Sequence, residues 1–179
     1  MIVYCSGQAR VAPSGDILLV PHNGRTATGH LYPLKNMESA LAKLKTKQIL
    51  FIFDGLVTRL PPKAHAKPAV PQWGFEGENK IRLIGGEKLQ QGLEDSRHHH
   101  GLFTYYLLQG LRGEADTNRD NDVTLGELTG YVRQKVAWAA KAQFNQEQGP
   151  LLATPLKPDD PATSLVLTAL PSLTSSEAP

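Results

Sequence analysis

Between residues 116 and 127, oxygen-bearing side chains recur at the spacing of a calcium-binding loop. The positions that match the ligand places of such a loop are Asp116, Asn118, Asp120, Asp122, Thr124 and Glu127. Calcium is a hard cation that prefers oxygen ligands, and it would offset the mutual repulsion of the carboxylates. The spacing therefore predicts a metal site, with calcium as its ion, between two helices.

Two other residues of this loop bear on the prediction. Val123 stands at the eighth place, where such loops prefer an apolar side chain, and Asn121 stands at the sixth, where they prefer glycine. Asparagine tolerates a left-handed backbone better than most residues, so the change weakens the site without abolishing it. The alternative is an acidic turn in which Asp122 or Thr124 caps the next helix. Both interpretations stay open.

The stretch Gln48–Leu56 is a nearly continuous apolar run that ends in Asp54-Gly55-Leu56. Such a run predicts a strand that is buried on both faces, at the centre of a parallel sheet. In open α/β sheets the reactive residues lie just past the carboxyl ends of these strands. The residue at that position is Leu56, which has no nucleophilic atom.

Four stretches resemble the caspase-like cysteine peptidase family, in its metacaspase-like bacterial branch: Val3–Gly7, Ile17–Pro21, Gln48–Leu56 and Gly101–Val136. They are similar, in that order, to the family's strand ending in Ser-Gly-His-Gly, its Leu-Val-Pro hairpin, its strand ending in Asp-Ala-Cys and its late helical region. The resemblance covers residues 1 to roughly 155 by motif order. It implies an α/β fold with a mainly parallel sheet flanked by helices, truncated at its N-terminus.

The family's mechanism rests on a Cys-His dyad, in which a cysteine thiolate attacks the scissile carbonyl. Carried over onto this sequence, the histidine position is Gln8 and the cysteine position is Leu56. Glutamine does not titrate, and leucine has no nucleophile. Where the family has a glycine after the histidine, this sequence has Ala9, and where the family has Ser-Gly after the cysteine, this sequence has Thr58-Arg59. The resemblance therefore implies a caspase-like domain that is not an enzyme.

Other reactive side chains near these positions have simpler interpretations. Cys5 is the one thiol of the chain and is expected to be a small core residue. Thr58 could be a second nucleophile with His22 as its base, but the favoured interpretation of Thr58 is an unreactive hydroxyl in a loop. The run His98–His100 would hold a transition metal, but the solvated start of a helix is favoured. Asp54 is expected to be structural and to accept loop amide hydrogen bonds.

The remaining patterns predict the elements of an α/β fold. Strands are expected at Met1–Ser6, which Ser6-Gly7 ends, and at Ile17–Val20, Lys80–Ile84 and Ser164–Leu167. Apolar spacing predicts helices over Leu34–Leu44, Leu102–Leu111 and Leu128–Phe144. The order strand, helix, strand from Met1 to Phe53 predicts a crossover between parallel strands. Residues 1–168 are expected to form a partial caspase-like domain, and residues 169–179 a disordered tail rich in Pro and Ser.

The absence of the family's first strands makes Met1–Ser6 an expected edge of the sheet. It is apolar and lacks the charge or proline that protects natural edges, so a protein partner or a second copy is expected to cover it. The net charge of +2, without a basic stripe, argues against nucleic-acid binding. No apolar run is long enough to span a bilayer, and a signal peptide is not recognised, which predicts a cytoplasmic protein.

Three functions follow from these observations. The first is an inactive caspase-like domain, a pseudopeptidase, that acts as a binding or regulatory module or is a decayed remnant. The second is an active cysteine endopeptidase that uses a different nucleophile, such as Cys5. The third is a calcium-responsive binding module built on residues 116–127.

Overall fold

The computed structural model describes residues 1–21, 31–46, 48–61, 67, 69–74, 80–86, 92–97, 99–152 and 160–171. Within them lie ten strands: β1 (Ile2–Val11), β2 (Ile17–Val20), β3 (Tyr32–Pro33), β4 (Ile49–Arg59), β5 (Lys80–Ile84), β6 (Glu94–Asp95), β7 (His100–Gly101), β8 (Asp122–Thr124), β9 (Leu151–Leu152) and β10 (Val166–Ala169). The same residues form three α-helices: α1 (Leu34–Leu41), α2 (Leu102–Gln109) and α3 (Leu125–Phe144). A π-helical turn, Gly110–Glu114, follows α2, and a short 3-10 helix, Pro161–Ser164, precedes β10.

Six strands form one mixed sheet in the order β3-β2-β1-β4-β5-β9. The central strands β1, β4 and β5 are parallel, as the crossover pattern predicts, and β2, β3 and β9 join antiparallel. The α/β class is confirmed. The expectation of a mainly parallel sheet holds for its centre only, because the hairpin of β1 and β2 reverses the chain before α1 leads back to β4.

Strand β4 is the buried centre of this sheet, and every residue from Ile49 to Asp54 is buried. Its side chains alternate between two cores. Leu50 and Ile52 pack with α2 and α3, whereas Phe51 and Phe53 pack on the side of α1. Because helices cover both faces, the strand needs apolar side chains on both, and this explains the continuous run in its sequence.

Strand β1 is longer than its sequence predicts. The run does not end at Ser6-Gly7 but continues to Val11, and Gln8–Val11 pairs antiparallel with β2. The prediction that Ser6-Gly7 ends this strand is therefore wrong. Pairing with β4 on one side and β2 on the other stabilises an extended backbone where local sequence signals a turn.

The C-terminal elements are shifted by a few residues from their predicted limits. Helix α3 starts at Leu125 rather than Leu128, because Thr124 caps it. The last strand is Val166–Ala169, and it pairs with β8 in a separate small sheet. At the start of the predicted tail, Ala169 lies in this strand and the Leu170 amide donates to the Asn121 carbonyl. Residues 172–179 lie outside the described part of the chain.

Among the described residues, no helix combines the length and the apolar character that crossing a membrane requires.

Candidate functional site

A cleft of about 560 Å³ opens where β1 and β4 extend beyond β5. Strand β5 stops at Ile84, level with Phe53, while β4 continues to Arg59. The residues that line the cleft are Ser6, Gly7, Gln8, Asp54, Gly55, Leu56, Gly92, Leu93, Glu94, Gly101 and Phe144. The cleft lies at the edge of the sheet where the sequence predicted a site, but the candidate residues stand inside the strands rather than past their ends.

Gln8 and Leu56, at the two dyad positions, are direct partners in the parallel ladder of β1 and β4. The tertiary structure therefore brings together the two positions that the resemblance pairs. Gln8 is exposed and Leu56 is partly buried, and both line the cleft. An amide and an alkyl side chain therefore stand at the two positions to which the resemblance assigns a base and a nucleophile.

Two glycines beside this pair form the base of the cleft. Gly7 and Gly55 are also register partners, with φ of 148° and 155°, a region that side chains rarely allow. A Cβ atom on Gly55 would lie 1.7 Å from the Gly7 carbonyl oxygen. Only glycine at position 55 lets the two strands approach this closely.

The other nucleophile candidates are not placed beside a base among the described residues. Cys5 is partly buried with the core on the α1 side, and burial raises the pKa of its thiol, which disfavours the reactive thiolate. Thr58 is exposed and lies in β4 opposite Arg10, not in a loop, and its candidate base His22 lies outside the described residues. Ser6 lines the cleft, but no hydrogen bond joins it to Asp54 in the described part of the structure.

Asp54 is the buried carboxylate of the cleft, with 5% of its surface exposed. Its Oδ2 accepts the hydroxyl of Thr104 at 2.5 Å, and the Thr104 amide also donates to this carboxylate. Thr104 is in the first turn of α2, and the N-cap residue of this helix, Gly101, has no side chain that could cap it. Asp54 therefore caps the helix from the neighbouring strand. The expected structural role is supported, but the donors are the hydroxyl and amide of one helix residue, Thr104, and not loop amides.

The electrostatics of Asp54 follow from this position. Burial raises the pKa of its carboxyl above the ordinary value of 3.8, against the effect of the two hydrogen bonds from Thr104, and the charge of Glu94 raises it further. Gly85 and Gly101 make room for the carboxylate, since a Cβ on Gly101 would lie 2.6 Å from Oδ2. The site is thus shaped to hold this one carboxylate.

A chain of hydrogen bonds joins Asp54 to the protein surface. The Tyr4 hydroxyl lies 2.6 Å from Thr104 Oγ1. Because Thr104 has one hydroxyl hydrogen and donates it to Asp54, Tyr4 must be the donor in its own contact. Neither Tyr4 nor Thr104 is predicted from the sequence, and the available signal is a helix start at Gly101 that lacks a local cap.

The first half of β1 is an open edge of the sheet within the described residues. Ile2–Gly7 pairs with β4, whereas β2 pairs only from Gln8 onward. The Met1 carbonyl accepts the Leu50 amide, so by the alternation of a parallel ladder the backbone groups of Ile2, Tyr4 and Ser6 point away from β4. Ile2 is 51% exposed and Tyr4 is 44% exposed.

The predicted metal ligands between residues 116 and 127 turn towards the backbone of their own loop. Asp116 accepts the amides of Arg119 at 2.7 Å and Asn121 at 3.1 Å. Asn118 Oδ1 accepts the Asp120 amide at 3.0 Å, and Asp120 Oδ1 accepts the Asp122 amide at 2.9 Å. Asn121 is left-handed, with φ of 70°, as its place in the loop requires, and Val123 is fully buried.

Glu127, the twelfth residue of the loop, takes part in a capping box. Its carboxylate accepts the amide and hydroxyl of Thr124, at 3.0 and 2.8 Å, and those of Thr117, at 3.1 and 3.0 Å. Partial burial raises the pKa of Glu127, but these hydrogen bonds outweigh it and lower the pKa to about 2. The Thr124 hydroxyl in turn accepts the Glu127 amide, so the capping alternative is confirmed for Thr124.

Metal-ligating side chains are not clustered in the described residues. No group of three or more His, Cys, Asp or Glu side chains comes together there in a way that would hold a metal ion. His98 lies outside these residues, and His99 and His100 are exposed just before α2 begins at Leu102. Both histidines are therefore exposed to solvent, and His100 lies in β7 rather than in the helix.

No protein-family model matches the chain, and no curated protein matches it. The caspase-like resemblance stays a prediction that rests on the four stretches of sequence and on the residues quoted from them.

Proposed function

We propose that this chain is a catalytically inactive, caspase-like domain of the cytoplasm that works as a binding module. The observation that supports the proposal is the register pair of Gln8 and Leu56 at the cleft. A concave site is present at the edge of the sheet, but neither residue of this pair can activate or supply a nucleophile. A cleft that retains its shape without reactive groups is suited to binding rather than to turnover.

The lining of the cleft favours an extended peptide with a basic side chain. Asp54 and Glu94 contribute carboxylates, whereas Leu56, Leu93 and Phe144 contribute apolar surface. A Lys or Arg side chain would place its charge near the carboxylates and its aliphatic stem along the apolar residues. Gly7 and Gly55 line the cleft without side chains, which leaves room for a peptide to pass.

Two assays on the same peptides test this proposal. Fluorogenic peptides that end in Arg, Lys or Asp measure hydrolysis, and fluorescein-labelled uncleavable forms measure binding by anisotropy. We expect no turnover, and binding of the basic peptides that Glu94→Gln weakens about 5- to 10-fold. Cys5→Ala is the matched control and should change neither signal.

Three results would contradict the proposal, each in a different way. Hydrolysis that Cys5→Ala abolishes would support the rival function, an active cysteine endopeptidase. Absence of both hydrolysis and binding for every peptide would favour a decayed remnant. Equal binding of Asp and Arg peptides would show that the carboxylates do not select the ligand.

The open half of β1 is the second part of the proposed binding function. The outward backbone groups of Ile2, Tyr4 and Ser6 form a template on which a strand of a protein partner can add. Ile2→Lys places a charge on this edge without removing a backbone hydrogen bond. It should abolish strand addition but leave peptide binding in the cleft unchanged, which separates the two surfaces. If a protein partner binds the Ile2→Lys variant as well as it binds the wild type, the partner does not use this edge.

Calcium binding by residues 116–127 is a second candidate function. The observation that favours it is the left-handed Asn121 together with the inward-facing oxygens of Asp116, Asn118 and Asp120. Oxygens of this kind suit a hard cation, which would supply positive charge among the carboxylates. The donor set fits in part, because Glu127 already accepts four hydrogen bonds from Thr117 and Thr124.

Calorimetric titration tests this candidate, with calcium and magnesium as separate probes. We expect heat from calcium that Asp120→Ala abolishes, and a melting temperature that rises with calcium concentration. Asp160→Ala, which removes a carboxylate that accepts the Ala162 amide outside the loop, is the matched control. A wild-type chain that binds no calcium at about 1 mM would exclude a sensor role.

A further inference from the structure

Trp138 exposes a large apolar surface on the outer side of α3. It is 61% exposed, more than any other aromatic residue in the described part of the chain, whereas Trp73 is 8% exposed. Tryptophan is enriched among the residues that dominate protein interfaces, because its burial there removes a large apolar area from water. An exposed tryptophan on a regular helix therefore points to a contact surface.

The outer face of α3 is open around this side chain. The other exposed residues of the helix are Gly130, Arg133, Gln134, Ala137, Lys141, Ala142 and Gln143. The apolar side of the helix packs in the core beneath, through residues such as Val132, Val136 and Ala140. Three of these exposed residues, Gly130, Ala137 and Ala142, are small, so another helix can approach closely.

Charge is divided unevenly along this helix. From Gly130 to Phe144 its charged residues are Arg133, Lys135 and Lys141, all basic. Glu127 and the preceding acidic loop, with the exposed Asp120, stand at the opposite end. A helix that is acidic at its start and basic towards its end is complementary to an antiparallel copy of itself.

We propose that the outer face of α3 is an interface between two copies of this chain, packed antiparallel about a two-fold axis near Gln134. A two-fold contact places the same patch against itself. About this axis, Trp138 of each copy faces Gly130 of the other, where an added Cβ would meet nothing within 4 Å. Lys141 of each copy likewise faces the acidic end, at Glu127.

The second copy is a better occupant than an anionic membrane. A lipid surface would attract Arg133 and Lys141 but repel the acidic loop that adjoins the same helix. An antiparallel copy matches both ends at once, and it also covers Trp138. The interface is separate from the cleft and from the open half of β1.

Sedimentation velocity of the full chain tests the interface, over about 5 to 500 µM protein. We expect a monomer–dimer equilibrium in this range. Trp138→Ala should raise the dimer dissociation constant about 30-fold, and Lys141→Glu should abolish the dimer. Ile2→Lys, on the open edge of β1, is the control and should leave the dimer unchanged. A dimer that survives Trp138→Ala and Lys141→Glu but is lost with Ile2→Lys would overturn the proposal.

Disulfide trapping tests the antiparallel arrangement. In a Cys5→Ser chain, Gln134→Cys should cross-link to itself under mild oxidation. Ala142→Cys is the matched control, because antiparallel packing separates the two copies of this residue by about 24 Å at 1.5 Å per residue. Cross-linking of both variants would indicate parallel helices and would overturn the arrangement, as would cross-linking of Ala142→Cys alone.

Fluorescence separates the second copy from a membrane. In a Trp73→Phe chain the emission comes from Trp138 alone, and we expect it to shift to shorter wavelength as protein concentration rises. A chain that stays monomeric at every concentration, and whose emission shifts only on adding phosphatidylserine vesicles, would overturn the proposal.

Discussion

The capping box at the start of α3 predicts a pH-dependent loss of stability in Glu127→Gln. The variant removes the charge that accepts hydrogen bonds from Thr124 and Thr117, but it keeps the size of the side chain. Because hydrogen bonds hold the folded-state pKa of Glu127 near 2, below its ordinary 4.5, the carboxylate stabilises the fold above pH 4.5. This contribution is lost as pH falls from 4.5 towards 2.

The magnitude follows from the shift and from the exposure of the group. For a carboxylate removed from water, a lowering from 4.5 to about 2 corresponds to about 3 kcal/mol. Glu127 is partly exposed, and solvent screening reduces the value to about 1 kcal/mol, which is also the usual contribution of a helix cap. We expect Glu127→Gln to lower the free energy of unfolding by about 1 kcal/mol at pH 7.

Urea denaturation followed by far-UV circular dichroism measures this effect. It should be done in EDTA, so that calcium does not contribute, at pH 7 and at about pH 2.5. The difference between wild type and Glu127→Gln should shrink to near zero at the lower pH. Glu147→Gln, at an exposed residue after α3, is the control and should match wild type at both values. A difference that is equal at both pH values would refute the reasoning.

Three further predictions concern the cleft. Thr104→Val should destabilise the fold by about 2 kcal/mol in urea denaturation, because buried Asp54 loses a hydroxyl donor, whereas Thr104→Ser should not. Burial holds the folded-state pKa of Asp54 above 3.8, so its contribution to stability is full at acid pH and falls as pH rises past that value. Asp54→Asn does not titrate at this position, so its free energy of unfolding minus that of the wild type should rise between about pH 3 and pH 7. A difference that stays constant over this range would show that Asp54 is not the titrating group. Gly55→Ala should lower the melting temperature more than Gly7→Ala does. Both residues have positive φ, but only a Cβ at position 55 would meet a neighbouring carbonyl. Equal losses in melting temperature would contradict the close approach of the two strands.

Local patterns predict the elements that are stabilised mainly by their own sequence and by simple burial. Lys80–Ile84 is a strand with the predicted limits, and the apolar run at Gln48–Leu56 is the buried centre of the sheet. In the acidic loop, the left-handed backbone of Asn121 and the cap at Thr124 follow from residue type and spacing. Each of these depends on contacts within a few residues or on a local pattern of apolar side chains, which sequence can reveal.

Interactions between distant residues decide the remaining features. The length of β1 depends on β2 and β4, and the role of Asp54 depends on Thr104, which is 50 residues away. No local signal encodes such pairings, because they form only when the sheet and α2 pack together.

The sequence by itself determined that Gln8 and Leu56 carry no reactive atoms, since this depends on residue type alone. Only the tertiary structure decided that the two are register partners on one cleft, that Asp54 accepts a hydrogen bond from Thr104 of α2, and that Trp138 is exposed to solvent. The physical reason is that composition sets which chemistry is available, whereas burial and distance between strands and helices set where it can act.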